Sequence, residues 1–529
     1  MALVFLAVLL ICLAYATLFI LGGRAALSLH KGFEELPANA NHGLSFFFGM
    51  AMFIFFFVLA GTAASSAKIS LLISTALLLG IAALGRKRWA APNTGSLKGV
   101  FGQFAIAFLL SAASLLLIWL PSLNTPDGQI RYNHDLFGSA NSGRYANIAN
   151  FVSLQDRIPI VNQNFGQSLL ASIPLLLGQD APYLALFLWL CLSVTFSLLI
   201  LYGLFRHFKL PKTYALLAVL AVVLGNSALS LTHVLTIDSG SPLIYNGYTD
   251  SIFSLWTFLI FLVWAIGLAK RPHASKASVL AIPIVLGFAW NLTSGQNIFF
   301  AAFVIIYAAF QLFLAKKSIA FPLLALALFI MCAMAGATRG GMFFPKSLDS
   351  LRAEIAGSYA PNSNLTVQYR PGMIYFFSGP YNTWTGSDIL TKYFSQNLSD
   401  SEMEAKISAK RSELSIGYGP FKPAALFALK LQYYLFYHET LLLDALRAFF
   451  FPIVGIFSAV FLANFRKSRQ DADSPGMGLF SGLANYLLIV LALGVFIAFS
   501  IAIGGFKAEF TRFLIIPYWL GLVLLMASL

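Results

Sequence analysis

Asn133-His134-Asp135 stands inside a long polar stretch, Pro121 to Ser168, that interrupts the apolar runs of a 529-residue chain. A carboxylate beside a histidine at a membrane boundary suits general-base chemistry. Partial desolvation raises the carboxyl pKa toward the neutral range, where it can accept the proton of a hydroxyl. Asp135 is the first candidate for that base, with His134 beside it. Two other accounts stay open: Asp135 caps the helix that follows, and His134 is an ordinary solvated loop side chain. Arg131 and Arg144 flank the pair and Arg157 lies further on, so that each can hold a lipid phosphate or touch phospholipid headgroups. Lys507 and Arg512 sit near the other end of the chain, after the pair Gly504 and Gly505 and on either side of Glu509. Either an internal salt bridge with Glu509 or an anionic ligand phosphate accounts for these two cations.

A second set of polar side chains is suited to holding a substrate. Asn164 and Gln167 belong to the cluster Asn162 to Ser168, directly ahead of a short apolar segment. Tyr248 and Asp250 close a turn-rich stretch that begins at His233. Thr249 or Asp250 is read as the helix N-cap, or Asp250 as a ligand to an acceptor or metal. Asn291 to Asn297 adds amides, which a polar tight turn also explains. His438 and Glu439 end a basic and aromatic rim that includes Lys422, Lys430, Tyr433, Tyr434 and Tyr437, as headgroup anchors or a phosphate site require. Cys12, Cys191 and Cys332 all fall in apolar runs, so their spacing suggests neither a disulfide framework nor a metal site.

The elements that must position these residues follow from composition. The chain is 59% hydrophobic and 10% charged, with 51 Phe, and its mean hydropathy is +0.80. Apolar runs near the spanning length of about 20 residues recur throughout, which excludes a soluble enzyme with one anchor, a disordered chain and a collagenous one. The runs are apolar on every face, against the alternation of an outer-membrane barrel. The expected fold is an all-α polytopic membrane protein with about 13 transmembrane helices. The segments are Ala2 to Leu21, Leu44 to Ala60, Ile69 to Leu84, Val100 to Leu120, Tyr183 to Phe205, Tyr214 to Thr232, Ile252 to Ala269, Ala277 to Leu292, Ile298 to Leu314, Ile319 to Ala337, Leu441 to Leu462, Leu479 to Ile503 and Phe513 to Leu529. Leu169 to Leu177 is too short to cross, contains Pro174 and reads as an interfacial or re-entrant helix. Ahead of it, Tyr145, Ile148, Ala149 and Val152 recur at i, i+3, i+4 and i+7, the pattern of an amphipathic helix in the interface.

The formal charge of +14 is accounted for by the bilayer, and no nucleic-acid partner is expected. With Arg86, Lys87, Arg88 and Lys98 on the cytoplasmic side, alternation adds Arg206, Lys209, Lys212, Lys270, Arg271, Lys276, Lys316, Lys317, Arg466, Lys467 and Arg469, joined by Arg24 and Lys31. The short loops opposite hold only Lys68, Lys507 and Arg512. This bias places the N-terminus outside and the C-terminus in the cytoplasm. The first segment lacks a positive n-region and reads as a retained span. Of the 20 acids, only Glu34, Glu35, Asp471 and Asp473 are cytoplasmic, so the chemistry is expected on the outer face. The expected organisation is four parts: N-terminal helices over 1–99, a core over 100–337 with outer loop 121–168, an outer, periplasmic subdomain over 338–440 and C-terminal helices over 441–529. In the subdomain, Ser399 and Glu402 have capping-box spacing, and its many aromatics form its core or stack on sugars.

Taken together, Asn133-His134-Asp135 through Arg144-Tyr145, Ile158-Pro159 with Asn164 to Gln167, and Lys507 to Pro517 resemble the GT-C class of polytopic glycosyltransferases. The lipid-dependent mannosyl-, aminoarabinose- and arabinofuranosyl-transferases belong to that class. The resemblance implies a polyprenyl-phosphate-linked sugar as donor, a glycan, lipid or protein as acceptor, and a catalytic acid in the first long outer loop, here Asp135. It implies that Lys507 and Arg512 meet the lipid phosphate, with Arg144 and Arg131 as further phosphate contacts. Some members pair two acids spaced by one residue and require a divalent metal; here Asn133 stands at the second position, which speaks against that metal, and no metal ligand or other cofactor is assigned. The natural setting is a bacterial inner membrane.

Two other readings make different demands. An O-antigen polymerase or ligase would place the chemistry in the loop from Thr338 to Thr440, with Arg411 and His438 acting on a lipid pyrophosphate. A transporter or lipid flippase calls for ionisable residues at mid-depth and repeated, broken helices. The spans contain almost no such residues, Asp444 and Arg447 lying near an end.

Overall fold

The computed structural model describes residues 2–34, 36–64, 66–85, 102–113, 140–158, 165–208, 210–220, 249–270, 280–293, 296–339, 482–483 and 485–487. Among them all regular structure is helical, with no strand. In chain order the helices are α1 (Ala2–Leu27), α2 (Lys31–Glu34), α3 (Ala38–Ala64), α4 (Ala67–Leu84), α5 (Gly102–Ala113), α6 (Ala140–Gln155), α7 (Phe165–Leu176), α8 (Pro182–His207), α9 (212–220), α10 (Thr249–Lys270), α11 (Ala281–Thr293), α12 (Gln296–Leu314) and α13 (Ala320–Arg339). Four helical stretches are long and apolar enough to cross a membrane: Leu3–Leu27, Ala38–Ala64, Ala67–Leu84 and Leu184–His207. The chain is therefore an all-α membrane protein. Shorter apolar helices α5, α10, α11, α12 and α13 fall on segments expected to span. The last three expected spans lie outside the described residues, apart from helical residues 482–483 and 485–487.

Local chemistry sets the ends of these helices. Ser66 caps α4 by accepting the N–H of Ile69 at 3.3 Å, satisfying one of the donors that a helix start leaves open. Pro182 opens α8, where its missing N–H costs no hydrogen bond. At the end of α7, Gln179 N–H reaches Pro174 O at 2.9 Å and Gly178 N–H reaches Leu175 O at 3.0 Å, with Gly178 at φ +89°. That double bond pattern needs a left-handed residue, which glycine adopts without a side-chain clash.

Packing begins with α1 against α3. A Cβ on Gly23 would overlap the carbonyl of Ser45, and one on Gly49 would overlap the carbonyl of Phe19. The two backbones touch because neither glycine carries a side chain, which is how helices approach closely where lipid offers no hydrophobic drive. Aromatic rings then lock in α8: Phe19 stacks on Trp189 at 5.6 Å and Phe46 on Phe196 at 4.1 Å. On the other side α11 lies along α13, and α10 and α12 close around them. The two halves meet through α3, which packs on α8, α10 and α11.

These contacts sort the helix ends. Asn297 bonds to Ser254, so the starts of α10 and α12 share one end, and the bond from Asn291 to Ala333 adds the ends of α11 and α13. Gly203 against Ala40 and Gly85 against Ala25 place the end of α8, the start of α3 and the ends of α1 and α4 at the opposite pole. Arg24, Lys31, Arg206, Lys212, Lys270, Lys316 and Lys317 belong to that second pole, whereas Lys68, Arg144, Arg157 and Arg339 belong to the first.

Candidate functional site

The pole poor in basic residues is built around α6 and α7, two short helices packed on each other and on α8. Ile148, Ala149 and Val152 of α6 are buried, as the spacing predicts, while Leu154 and Gln155 are exposed. Every described side chain of α7 is buried, including Gln167 and Ser168 in its first turn. Helix α7 thus lies inside the bundle, against α6, α8 and α11, where sequence placed an interfacial or re-entrant helix. Its 12 residues extend about 18 Å, short of a bilayer crossing. The indole of Trp189 donates to Leu170 O at 2.9 Å and fixes α7 to α8.

The turn after α6 holds the pair in register with the spans. Asp156 sits at φ +48° and accepts the Ser66 hydroxyl at 2.7 Å and the Lys68 N–H at 2.8 Å, while its own carbonyl accepts the Ala67 N–H at 2.9 Å. Desolvation alone would raise this carboxyl. The hydrogen bonds from Lys68 and Ser66, with the Lys68 charge and the bond from Ala67, outweigh it and hold the pKa below the ordinary carboxylate value. Two residues further on, Ile158 lies on α3, filling the space that a side chain on Gly61 would need.

A second polar group lines the start of α10 and its neighbours. Trp290 donates to Thr257 Oγ1 at 2.8 Å, Trp256 donates to Ser197 Oγ at 2.6 Å, and Asn297 Nδ2 donates to the carbonyl of Ser254 at 3.0 Å. Asn291 donates to the carbonyl of Ala333. Asn297 Oδ1, Ser254 Oγ and Ser168 Oγ are buried without a hydrogen-bond partner. Sequence reading registered Asn291 and Asn297 but missed Ser254 and Thr257, which repeat at i and i+3 on α10 and were legible as a polar stripe in an apolar helix. Among the described residues no cluster of three or more His, Cys, Asp or Glu side chains is formed.

Of the expected site residues, Gln167 is placed in full, buried at the start of α7. Arg144 is placed by its backbone on α6 and Asp250 by its backbone in the first turn of α10. The fold brings these three helices to one pole, since α7 contacts both α6 and α10. Asp135, His134, Arg131, Asn164, Tyr248, His438, Glu439, Lys507 and Arg512 lie outside the described residues. So do the loop over 338–440, apart from 338–339 at the end of α13, and the C-terminal Thr511 to Pro517. Comparison with protein-family models, with curated proteins and with solved structures finds no match.

Proposed function

We propose that this protein is a membrane glycosyltransferase of GT-C type that moves a sugar from a polyprenyl-phosphate donor to a glycan, lipid or protein acceptor at the outer face of a bacterial inner membrane. The observation that carries the reading is the first long polar loop. Its acid, Asp135, precedes an amphipathic helix and a polar-fronted short helix, and these two helices, α6 and α7, are seated together at the pole with fewer basic residues. The positive-inside rule makes that pole the outer one.

The chemistry follows from the residue types. Asp135 takes the proton of an acceptor hydroxyl as its oxygen bonds to the anomeric carbon of the donor sugar. The bond from that carbon to the phosphate oxygen breaks, and the electron pair leaves on the polyprenyl phosphate. Lys507 and Arg512 offset the charge that grows there, with Arg131 and Arg144 as further cations of the same loop; stabilisation of developing charge lowers the barrier most. His134 orients the acceptor or the base. Gln167, Asn164, Tyr248, Asp250, His438 and Glu439 supply hydrogen bonds to the sugars.

The test is turnover of donor. Purified protein in nanodiscs is given a cell-envelope lipid extract with its glycan fraction, and release of free polyprenyl phosphate is followed by mass spectrometry. Wild type releases it, and Asp135→Asn is slower by about 10² to 10⁴-fold. Equal release by wild type and Asp135→Asn removes the base from the mechanism.

A further inference from the structure

Ser168 Oγ on α7, Ser254 Oγ on α10 and Asn297 Oδ1 on α12 are buried without a hydrogen-bond partner. The three residues are 0%, 4% and 0% exposed, so bulk water does not reach them. A polar atom left this way is costly enough that folded proteins rarely keep one without a use.

What each atom still offers defines what it takes. Asn297 Nδ2 already donates to the carbonyl of Ser254 at 3.0 Å, which leaves Oδ1, an atom that can only accept. A serine Oγ either donates or accepts. A phosphate or carboxylate anion brings no proton to Asn297, and Asp250, one turn before Ser254 on the same face of α10, repels it further. A cation is disfavoured as well, because Ser168 and Asn297 stand in the first turns of α7 and α12, where the helix dipole is positive. A neutral hydroxyl meets both demands, donating to Asn297 and accepting from a serine.

The three stand at similar depth along α8. The turn over 177–181 folds α8 back against α7, and the Trp189 bond to Leu170 O sets Ser168 roughly level with Cys191. Helix α10 runs the same way as α8, and the Trp256 bond to Ser197 sets Ser254 roughly level with Thr195. Helix α7 also touches α10 directly. From Cys191 to Thr195 the helix rises about 6 Å. One water, bridging with two bonds of about 2.8 Å, does not span that distance, whereas a ring bearing several hydroxyls does.

We infer that Ser168, Ser254 and Asn297 form a binding site for sugar hydroxyls, and that in the glycosyl transfer proposed above, on which this assignment rests, they select the sugar of the lipid-linked donor. A site built to bond hydroxyls rejects a ligand that lacks them, because its own buried groups then stay unpaired.

The experiment compares wild type with Ser168→Ala and Ser254→Ala, both of which leave the Asn297 bond to the backbone at 254 in place. Each protein is loaded in nanodiscs with the cell-envelope lipid extract, and native mass spectrometry reads the ratio of glycosylated to bare polyprenyl phosphate retained. The ratio is expected to fall about tenfold in each variant, the effect of one hydrogen bond. Melting of the same proteins without the extract separates a ligand site from scaffold. Each alanine removes an unpaired buried hydroxyl, so both variants are expected to melt at or above the wild-type temperature. An unchanged ratio in both variants overturns the inference and leaves glycosyl transfer standing. Lower melting of both overturns it too, by showing hydroxyls that the fold itself already uses. Wild type without any polyprenyl carrier removes the transfer reading and the inference with it. A wild-type melting temperature that rises with added Na⁺ or Ca²⁺, and does not in Ser254→Ala, overturns it by naming a cation as occupant.

Discussion

Asp156 holds Ser66: the serine hydroxyl donates to the carboxylate at 2.7 Å, and two residues later the Lys68 N–H donates to the other oxygen at 2.8 Å. One side chain from the end of α6 thereby closes the first turn of α4, ninety residues away in sequence. Asp156→Asn keeps a residue that tolerates the left-handed backbone while removing the charge, and is expected to cost about 1 kcal/mol. Asp156→Ala adds a left-handed penalty of about 1 kcal/mol or more. The folded carboxyl is depressed, so its stabilisation is present above the unfolded value of about 3.9 and is lost as pH falls through the lower folded value. Thermal unfolding in detergent is expected to separate wild type from Asp156→Asn at pH 7 and to narrow the gap progressively as the pH falls below the ordinary carboxylate value.

Gly49 is expected to tolerate no side chain. In Gly49→Ala the added Cβ meets the carbonyl of Phe19, a backbone atom that moves only if α1 and α3 separate, and the cost is about 1 to 3 kcal/mol. Gly80→Ala is the control: nothing lies within 4 Å of a Cβ there, and alanine in a helix interior gains up to about 1 kcal/mol. Melting temperatures of the two variants should therefore move in opposite directions.

Thr257→Val keeps the shape of the side chain but leaves the Trp290 indole N–H without its acceptor. A buried donor left unpaired costs about 1 to 3 kcal/mol. In a double-mutant cycle with Trp290→Phe, the two changes are expected to couple by about 0.6 to 1.7 kcal/mol, the range of interhelical hydrogen bonds in membranes. Additivity of the two would show the bond to be worth nothing in the fold.

The orientation is checked by labelling single cysteines in intact cells, in a chain whose Cys12, Cys191 and Cys332 are replaced. Lys68→Cys is expected to react with an impermeant maleimide from outside, and Lys317→Cys only after the membrane is opened. The reverse pattern would invert the topology and move the polar loops to the cytoplasm.

Much of the helix pattern was legible because unbroken apolar runs need internal hydrogen bonding and little else. The start of α3 was placed late, at Leu44, since Asn39, Asn41 and His42 look like loop. The helix takes them in by bonding Asn41 to Phe33 O at 3.1 Å and Asn39 to Gln103 at 2.7 Å. The buried face of α6 could be read from spacing, whereas the burial of α7 on all sides could not, because its length fixes only that it fails to cross. The Trp290–Thr257 and Trp256–Ser197 bonds join residues far apart in sequence, and no local pattern pairs an indole with its hydroxyl. For the candidate site, sequence named the residue types, and the fold groups the helices that bear Arg144, Gln167 and Asp250.

The central claim is lipid-linked glycosyl transfer, and the most direct measurement is native mass spectrometry of gently solubilised wild type beside Arg512→Ala, searching for a co-purifying polyprenyl phosphate or its glycosylated form. The account predicts that the carrier accompanies wild type and is lost from Arg512→Ala. Ordinary phospholipid alone in both proteins would contradict it.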